Sequence, residues 1–262
     1  MDDYQKLEIE FAAWIGRPVT CCVACNSGTT ALHLALESFE LPLGSHILIP
    51  EYTMVACARA VTLAGHVPIS IDCNSVDVLI NVRLLNKHID KLTRAIMAVH
   101  IYGRQCNMES IHRFATRNEL LVIEDLAEAH GIAPHPKTHA ACYSFYKNKI
   151  ICGEEGGMIV FLREKHANLA RCLRNMGFPQ DQSYDHIPRG INGRMSNAHA
   201  RLILTSLSKF PHNLVARKQV CSWYDDAIPT EYHMPERIAP WVYDLRLRGV
   251  DTCFIVRQLQ SH

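Results

Sequence analysis

The chain has 262 residues, 48% hydrophobic and 20% charged, with a formal net charge of +1. That length can bury the core of one large domain with a small appendage. So little net charge creates no long-range field for nucleic acid, an anionic membrane or an acidic partner, so any anion site has to be local.

The first residues, MDDYQKLEIEF, are acidic and lack the basic start and apolar run of a secretory signal. Within them, residues 4–15 read as a helix with Leu7, Phe11, Trp14 and Ile15 on one side. A buried run, 19–25, then ends in Asn26-Ser27-Gly28-Thr29-Thr30, after which Ala31 to Leu36 starts a helix. Further strands are expected at 46–49, 67–72, 95–100 and 120–124, each flanked by helical sequence. The window 46–65 is the most apolar, yet Glu51 and Arg59 interrupt it, and no stretch reaches the roughly 20 apolar residues of a membrane helix. A cytoplasmic protein is the expectation. Beyond Glu124 the pattern changes: strands are expected at 142–146 and 158–162 with only a loop between them. Helices resume at 164–176, 197–209 and 213–227, and the last thirty-five residues show no clear periodicity. This alternation predicts an α/β fold, a mostly parallel sheet flanked by helices, and such sheets bind ligands beyond the carboxyl ends of their strands.

Eleven cysteines are scattered along the chain, and without an export signal they read as reduced thiols. Cys22 and Cys25 form a CxxC with no second pair to complete a zinc site. His135 and His139 have metal-like spacing, but Pro134 and Pro136 make their stretch an irregular loop and no third ligand is evident. No metal site is expected.

Three segments carry chemistry. Asn26-Ser27-Gly28-Thr29-Thr30 lies between a strand and a helix, where free backbone N–H groups and the helix dipole favour a phosphate. The same residues would also serve as a plain helix cap. Glu124-Asp125 closes a buried strand, a position suited to meet a cationic ligand group such as a pyridinium nitrogen; an N-cap for a helix from Leu126 is the other reading. Ser144-Phe145-Tyr146-Lys147-Asn148-Lys149 precedes Gly153-Glu154-Glu155-Gly156-Gly157, and a lysine kept partly deprotonated can form a Schiff base with an aldehyde. Residue chemistry does not separate Lys147 from Lys149. No dinucleotide Gly-rich fingerprint or P-loop pattern follows any strand.

In this order the segments resemble the DegT/DnrJ/EryC/StrS family of sugar aminotransferases, which have the type I fold of pyridoxal-phosphate enzymes. The resemblance is carried by NSGTTALHLAL at 26–36, IPEYTMVACARAVTLAGHVPISID at 49–72, VHIYGRQCNMESI at 99–111, IEDLAEAHG at 123–131, SFYKNKIICGEEGGMIVF at 144–161 and GINGRMSNAHARL at 190–202. It runs nearly unbroken from about Leu7 to Ala227. It implies a seven-stranded sheet in a cofactor-binding domain over 1–210 and a reduced C-terminal sub-domain over 211–262. It implies pyridoxal 5'-phosphate as cofactor, bound as a Schiff base on Lys149, the lysine after Asn148. Asp125 would meet the pyridine nitrogen and Glu128 the ring hydroxyl. Gly28, Thr29 and Ser144 match phosphate-binding positions, and Asn192 matches a residue that reaches the phosphate of the neighbouring subunit in a homodimer. The implied reaction moves an amino group from glutamate or glutamine to a keto sugar, usually nucleotide-linked, or a similar small ketone.

The pattern departs from the family at three points. Met54 stands where many relatives stack an aromatic residue on the cofactor ring, and Glu155 replaces the first Gly of the usual Gly-Glu-Gly-Gly stretch. The chain also starts close to the first core helix, and its C-terminal part is a remnant around Ile238-Ala-Pro-Trp-Val242. Two other readings compete: a sugar dehydratase, against which Lys149 speaks because that branch carries histidine there, and a cofactor-holding or regulatory protein without turnover.

Overall fold

The computed structural model describes residues 1–179, 186–187, 189–247, 249 and 251–260. Helix α1 (Asp3–Ile15) opens with the Gln5 side chain accepting the Asp2 amide at 2.9 Å and stops at Gly16, whose φ of 68° ends the helical run. Strand β1 (Cys22–Cys25) is buried throughout and leads through Ser27 into α2 (Gly28–Glu37). Ser27 caps that helix by accepting the Thr30 amide at 3.1 Å, so the helix starts three residues before the apolar run that announces it.

Strand–helix alternation continues through β2 (His46–Pro50), α3 (Val55–Leu63), β3 (Val67–Ile71), α4 (Leu85–His88), β4 (Thr93–Val99), α5 (Met108–Arg117) and β5 (Leu121–Asp125). Strands β6 (Ala140–Ser144) and β7 (Gly157–Phe161) follow without a helix between them. After them come α6 (Glu164–Arg174), α7 (Asn197–Ser208), α8 (Phe210–Ala227) and α9 (Thr252–Gln260). The sheet order is β1-β7-β6-β5-β4-β2-β3, with β7 alone running antiparallel to its neighbours. This is the mostly parallel, helix-flanked, seven-stranded α/β sheet that the sequence predicts.

Parity along the strands decides which side each residue serves. In β6, Ala140 and Cys142 join the core shared with α2 and α3, whereas Ala141 and Tyr143 face the core shared with α1 and α7. Strand β7 divides in the same way, with Ile159 and Phe161 against Met158 and Val160.

Two expectations shift. Strand β6 ends at Ser144, two residues before the expected Tyr146, because Ser144 is the last residue paired with β7, through Gly157. The Phe145 amide bonds back to the Gly156 carbonyl at 2.8 Å, and the chain then turns out of the sheet toward Lys149. The C-terminal stretch without periodicity holds α9 and a bridge between His233 and Leu245. Among the described residues, no helix is long and apolar enough to cross a membrane.

Candidate active site

The carboxyl ends of β1, β2, β5 and β6 converge on a cavity of about 270 Å³. Gly28 and Thr29 enter it from the start of α2, Met54 from the N-cap of α3, and Asp125 and Glu128 from the end of β5 and the turn beyond it. Ser144 and Lys149 enter from the end of β6 and the loop that follows. Seven of the eight residues singled out in the sequence therefore share one space.

Lys149 supplies the amine. Its side chain is 10% exposed, and its Nζ lies 3.8 Å from Glu128 Oε1. Burial pulls the amine below the ordinary lysine value, with Glu128 and Asp125 opposing. Lys147, by contrast, belongs to the exposed face of the loop. Of the two lysines, Lys149 lines the cavity and Lys147 does not.

Asp125 is buried with two partners: Oδ1 accepts the Ala127 amide at 3.0 Å and Oδ2 accepts the Cys57 thiol at 3.3 Å. Burial raises its carboxyl, against the Ala127 amide, Cys57 and Lys149. The Ala127 contact belongs to a turn, since no helix begins at Leu126. Glu128 is buried as well, and its Oε2 accepts the Tyr102 amide at 2.9 Å. Its carboxyl is pushed up to about 7, first by burial and further by Asp125, with the Tyr102 amide and Lys149 opposing. Tyr102 makes that contact from a left-handed backbone, φ 55°, an uncommon conformation for a residue with a Cβ. Glu124, one residue before Asp125, turns to the other side of β5 and bonds His100 Nε2 at 2.9 Å. Of the Glu124-Asp125 pair, only Asp125 reaches the cavity.

At the opposite end, the first turn of α2 presents amides without intrahelical acceptors. Gly28 is required there: a Cβ would lie 2.7 Å from Ser144 Cβ. Ser144 Oγ thereby stands beside the helix start, ready to add a hydroxyl to the amides. Asn192 is the exception among the eight. It is exposed and outside the cavity, with its carbonyl accepting the Asn26 side-chain amide at 3.2 Å.

These residues fit pyridoxal phosphate on structural grounds. Glu128 Oε1 is buried and lacks a hydrogen-bond partner, an acceptor for a ring hydroxyl. The Gly28–Ser144 cradle suits a phosphate at a helix start, and a lysine amine and a buried carboxylate lie between.

Sequence reasoning missed Cys57, Tyr102 and Trp241. Cys57 lies three residues after Met54 on α3, so helical spacing would have found it. Tyr102 carries no local signal, since its contact with Glu128 is made by the backbone amide. Trp241 sits with its ring centroid 3.5 Å from Lys149 Nζ, yet comes from 93 residues past Asn148, whose carbonyl accepts its indole N–H at 2.9 Å. Among the described residues, no three His, Cys, Asp or Glu side chains are grouped to hold a metal ion. His139 Nδ1 accepts the Val122 amide and His135 Nε2 contacts Glu109.

Comparisons with known proteins bear on the family of the chain. A family model described as the DegT/DnrJ/EryC1/StrS aminotransferase family matches residues 2–238. The GDP-perosamine synthase of Caulobacter vibrioides is 36% identical over 94% of this chain and 70% of its own length. The GDP-perosamine synthase of Vibrio cholerae is 29% identical over 87% of this chain and 64% of its own length. The chain thus spans about two thirds of these relatives. Among solved structures, DesV from S. venezuelae superposes with a TM-score of 0.86 at 25% identity, over 99% of this chain and 72% of that one. An aminotransferase from Brucella abortus superposes with a TM-score of 0.88 at 24% identity, over 99% of this chain and 74% of that one. With the family model covering nearly all of the chain and the Caulobacter protein this similar, the chain belongs to the DegT/DnrJ/EryC1/StrS aminotransferase family.

Proposed function

We propose that this protein is a pyridoxal-phosphate-dependent aminotransferase that moves an amino group from glutamate or glutamine to a keto sugar, nucleotide-linked as the substrates named in its relatives' descriptions are, or to a similar small ketone. The observation that carries the reading is the convergence of Lys149, Asp125 and Glu128 with the start of α2 in one cavity. When bound, pyridoxal phosphate supplies an aldehyde for an amine and a ring that delocalises the electron pair of a deprotonated α-carbon.

The chain's own residues do the rest. Lys149, its amine held below the usual lysine range, presents more of the neutral nucleophile than a surface lysine would. The same amine, when free, would carry a proton to and from the donor's α-carbon. Asp125 would face the pyridine nitrogen and keep a proton there, and Glu128 Oε1 would accept the ring hydroxyl. Gly28, Thr29 and Ser144 would hold the phosphate with backbone amides and hydroxyls. Met54 would pack its thioether on the ring in place of an aromatic residue. Asn192, exposed and away from its own cavity, is suited to reach the site of a second copy, so a homodimer belongs to the proposal. So do a cytoplasmic location and a division into a cofactor domain over 1–210 and a smaller unit over 211–262.

The test begins with pyridoxal phosphate added to the purified chain, then borohydride reduction and peptide mass analysis. A reduced pyridoxyl group on Lys149, absent from Lys149→Ala, is the expected result. Transfer of label from ¹⁵N-glutamate or ¹⁵N-glutamine to a keto nucleotide sugar would then establish turnover. A labelled Lys149 with no amine transfer from any donor would instead favour a cofactor-holding protein without turnover, and no label would end the cofactor assignment.

A further inference from the structure

The segment around Trp241 serves no part of the chemistry above, yet it is firmly tied to the sheet end. The Ala239 amide donates to the Gly103 carbonyl at 3.1 Å. This approach tolerates only glycine at 103, where a Cβ would lie 1.8 Å from the Ala239 oxygen. Asp244 accepts both Arg104 Nη2, at 2.7 and 2.8 Å, and Arg237 Nε, at 2.8 Å. Arg217 then bridges the two partners that matter, donating to the Trp241 carbonyl at 2.7 Å and the Asn148 carbonyl at 3.3 Å. The indole N–H donates to that same Asn148 carbonyl, so ring and backbone of Trp241 are both tied down. Its face is left against the Lys149 amine, 3.5 Å from the ring centroid. Glu128 Oε1 lies 3.8 Å from the same nitrogen.

We propose that Trp241 is a positioning residue for Lys149: the C-terminal segment lays the indole face on the amine and, with Glu128, holds its protonated form in place beside the cavity, so that the nitrogen acts as a nucleophile only after it has given up that proton. The inference rests on the reading of Lys149 as the cofactor lysine. Its physical basis is the attraction of a cation to the negative face of an aromatic ring, strongest for tryptophan and stronger where water is excluded. The charged and titratable groups facing the amine are Glu128 and Asp125, which favour its charge, and His130, which lies close enough to feel the lysine's charge. The ring therefore acts beside two carboxylates, and burial opposes all three.

The experiment uses the full chain and needs no cofactor. Trace acetylation with acetic anhydride, read by peptide mass at a series of pH values, reports the fraction of Lys149 that is neutral, with exposed Lys147 as the internal control. Trp241→Leu keeps an apolar wall but removes the aromatic face, so the Lys149 profile should move down by about one pH unit. Trp241→Phe should restore most of that shift, and Lys147 should not move. Uniform replacement of the three tryptophans by difluorotryptophan, which keeps their shape and weakens the ring face, should shift Lys149 the same way by less. That arm stands if the leucine variant fails to fold. An unchanged profile in both arms overturns the proposal. So does an upward shift common to Leu and Phe, which would make Trp241 only a water-excluding wall. A missing pyridoxyl label on wild-type Lys149 would overturn the cofactor assignment alone, because the acetylation profile reads the contact without it.

Discussion

Two carboxylates one residue apart at the end of β5 live in opposite worlds. Glu124 has no exposed surface, and both its oxygens are engaged: Oε2 by His100 at 2.9 Å, Oε1 by the His135 amide at 2.8 Å and by the Thr138 hydroxyl. Burial alone would raise its carboxyl, but these bonds and the His100 charge win and hold it below the ordinary value. Asp125, on the cavity side, has one amide and one weak thiol donor, and burial wins. Glu128 follows Asp125, with one oxygen bonded and the other without a hydrogen bond. A carboxylate saturated by its own chain has its interactions spent on stability. One left short of donors can meet a ligand.

The sharpest way to break this contrast is to remove the amine that the cavity carboxylates face. Lys149→Ala should lower amine transfer by at least about a thousandfold, read as initial rate, with little change in the unfolding midpoint. Next comes the structural side. Glu124→Ala strips the partner from His100, Thr138 and the His135 amide, and should cost about 3 kcal/mol or more in urea unfolding. Asp125→Asn, which removes a buried charge with few partners, should cost far less stability and still weaken cofactor capture.

The two sides also predict opposite pH slopes. Glu124 has a folded value below its unfolded value of 4.5, so its contribution is present above that value and drains as pH falls through the folded one. Glu128 has a folded value raised from 4.5 to about 7, so the folded chain binds the extra proton between them and stability falls as pH rises across that window. Glu128→Gln should remove this loss, a gain of up to about 3 kcal/mol by pH 7.5 in the cofactor-free chain, whereas Glu124→Gln should flatten only the acid limb. The smallest effect is expected at Cys57. Its loss in Cys57→Ala removes one weak donor to Asp125 and a buried sulfur, at about 1 kcal/mol of stability and a few-fold in cofactor affinity by titration.

Much of this arrangement was legible in the chain. The seven strands were readable because short apolar runs bounded by turn residues leave few alternatives, and the carboxyl ends of the parallel strands then say where to look. Asp125 follows from that rule, whereas Ser144, and Lys149 rather than Lys147, come only with the family resemblance. The contrast between Glu124 and Asp125 depends on strand parity, and a one-residue error in register would have exchanged their roles. Strand β6 shows the limit: Phe145 and Tyr146 have high strand propensity, yet pairing stops at Ser144 because the chain turns away there. Trp241 was beyond reach, since a contact across 93 residues leaves no trace in local spacing.

The Gly28–Ser144 approach has a consequence for how the molecule is made. Strand β7 lies between β1 and β6, and Gly157 at its start is wedged so tightly that a Cβ there would meet the Ser27 carbonyl oxygen at 2.3 Å. The two halves of the cradle are therefore brought together by a strand synthesised after both of them. On the ribosome, residues 28 and 144 can both be outside the exit tunnel and still be apart until 157–161 has inserted between their strands. A phosphate held there would thus meet two halves whose strands are joined by β7, the last strand of the sheet along the chain.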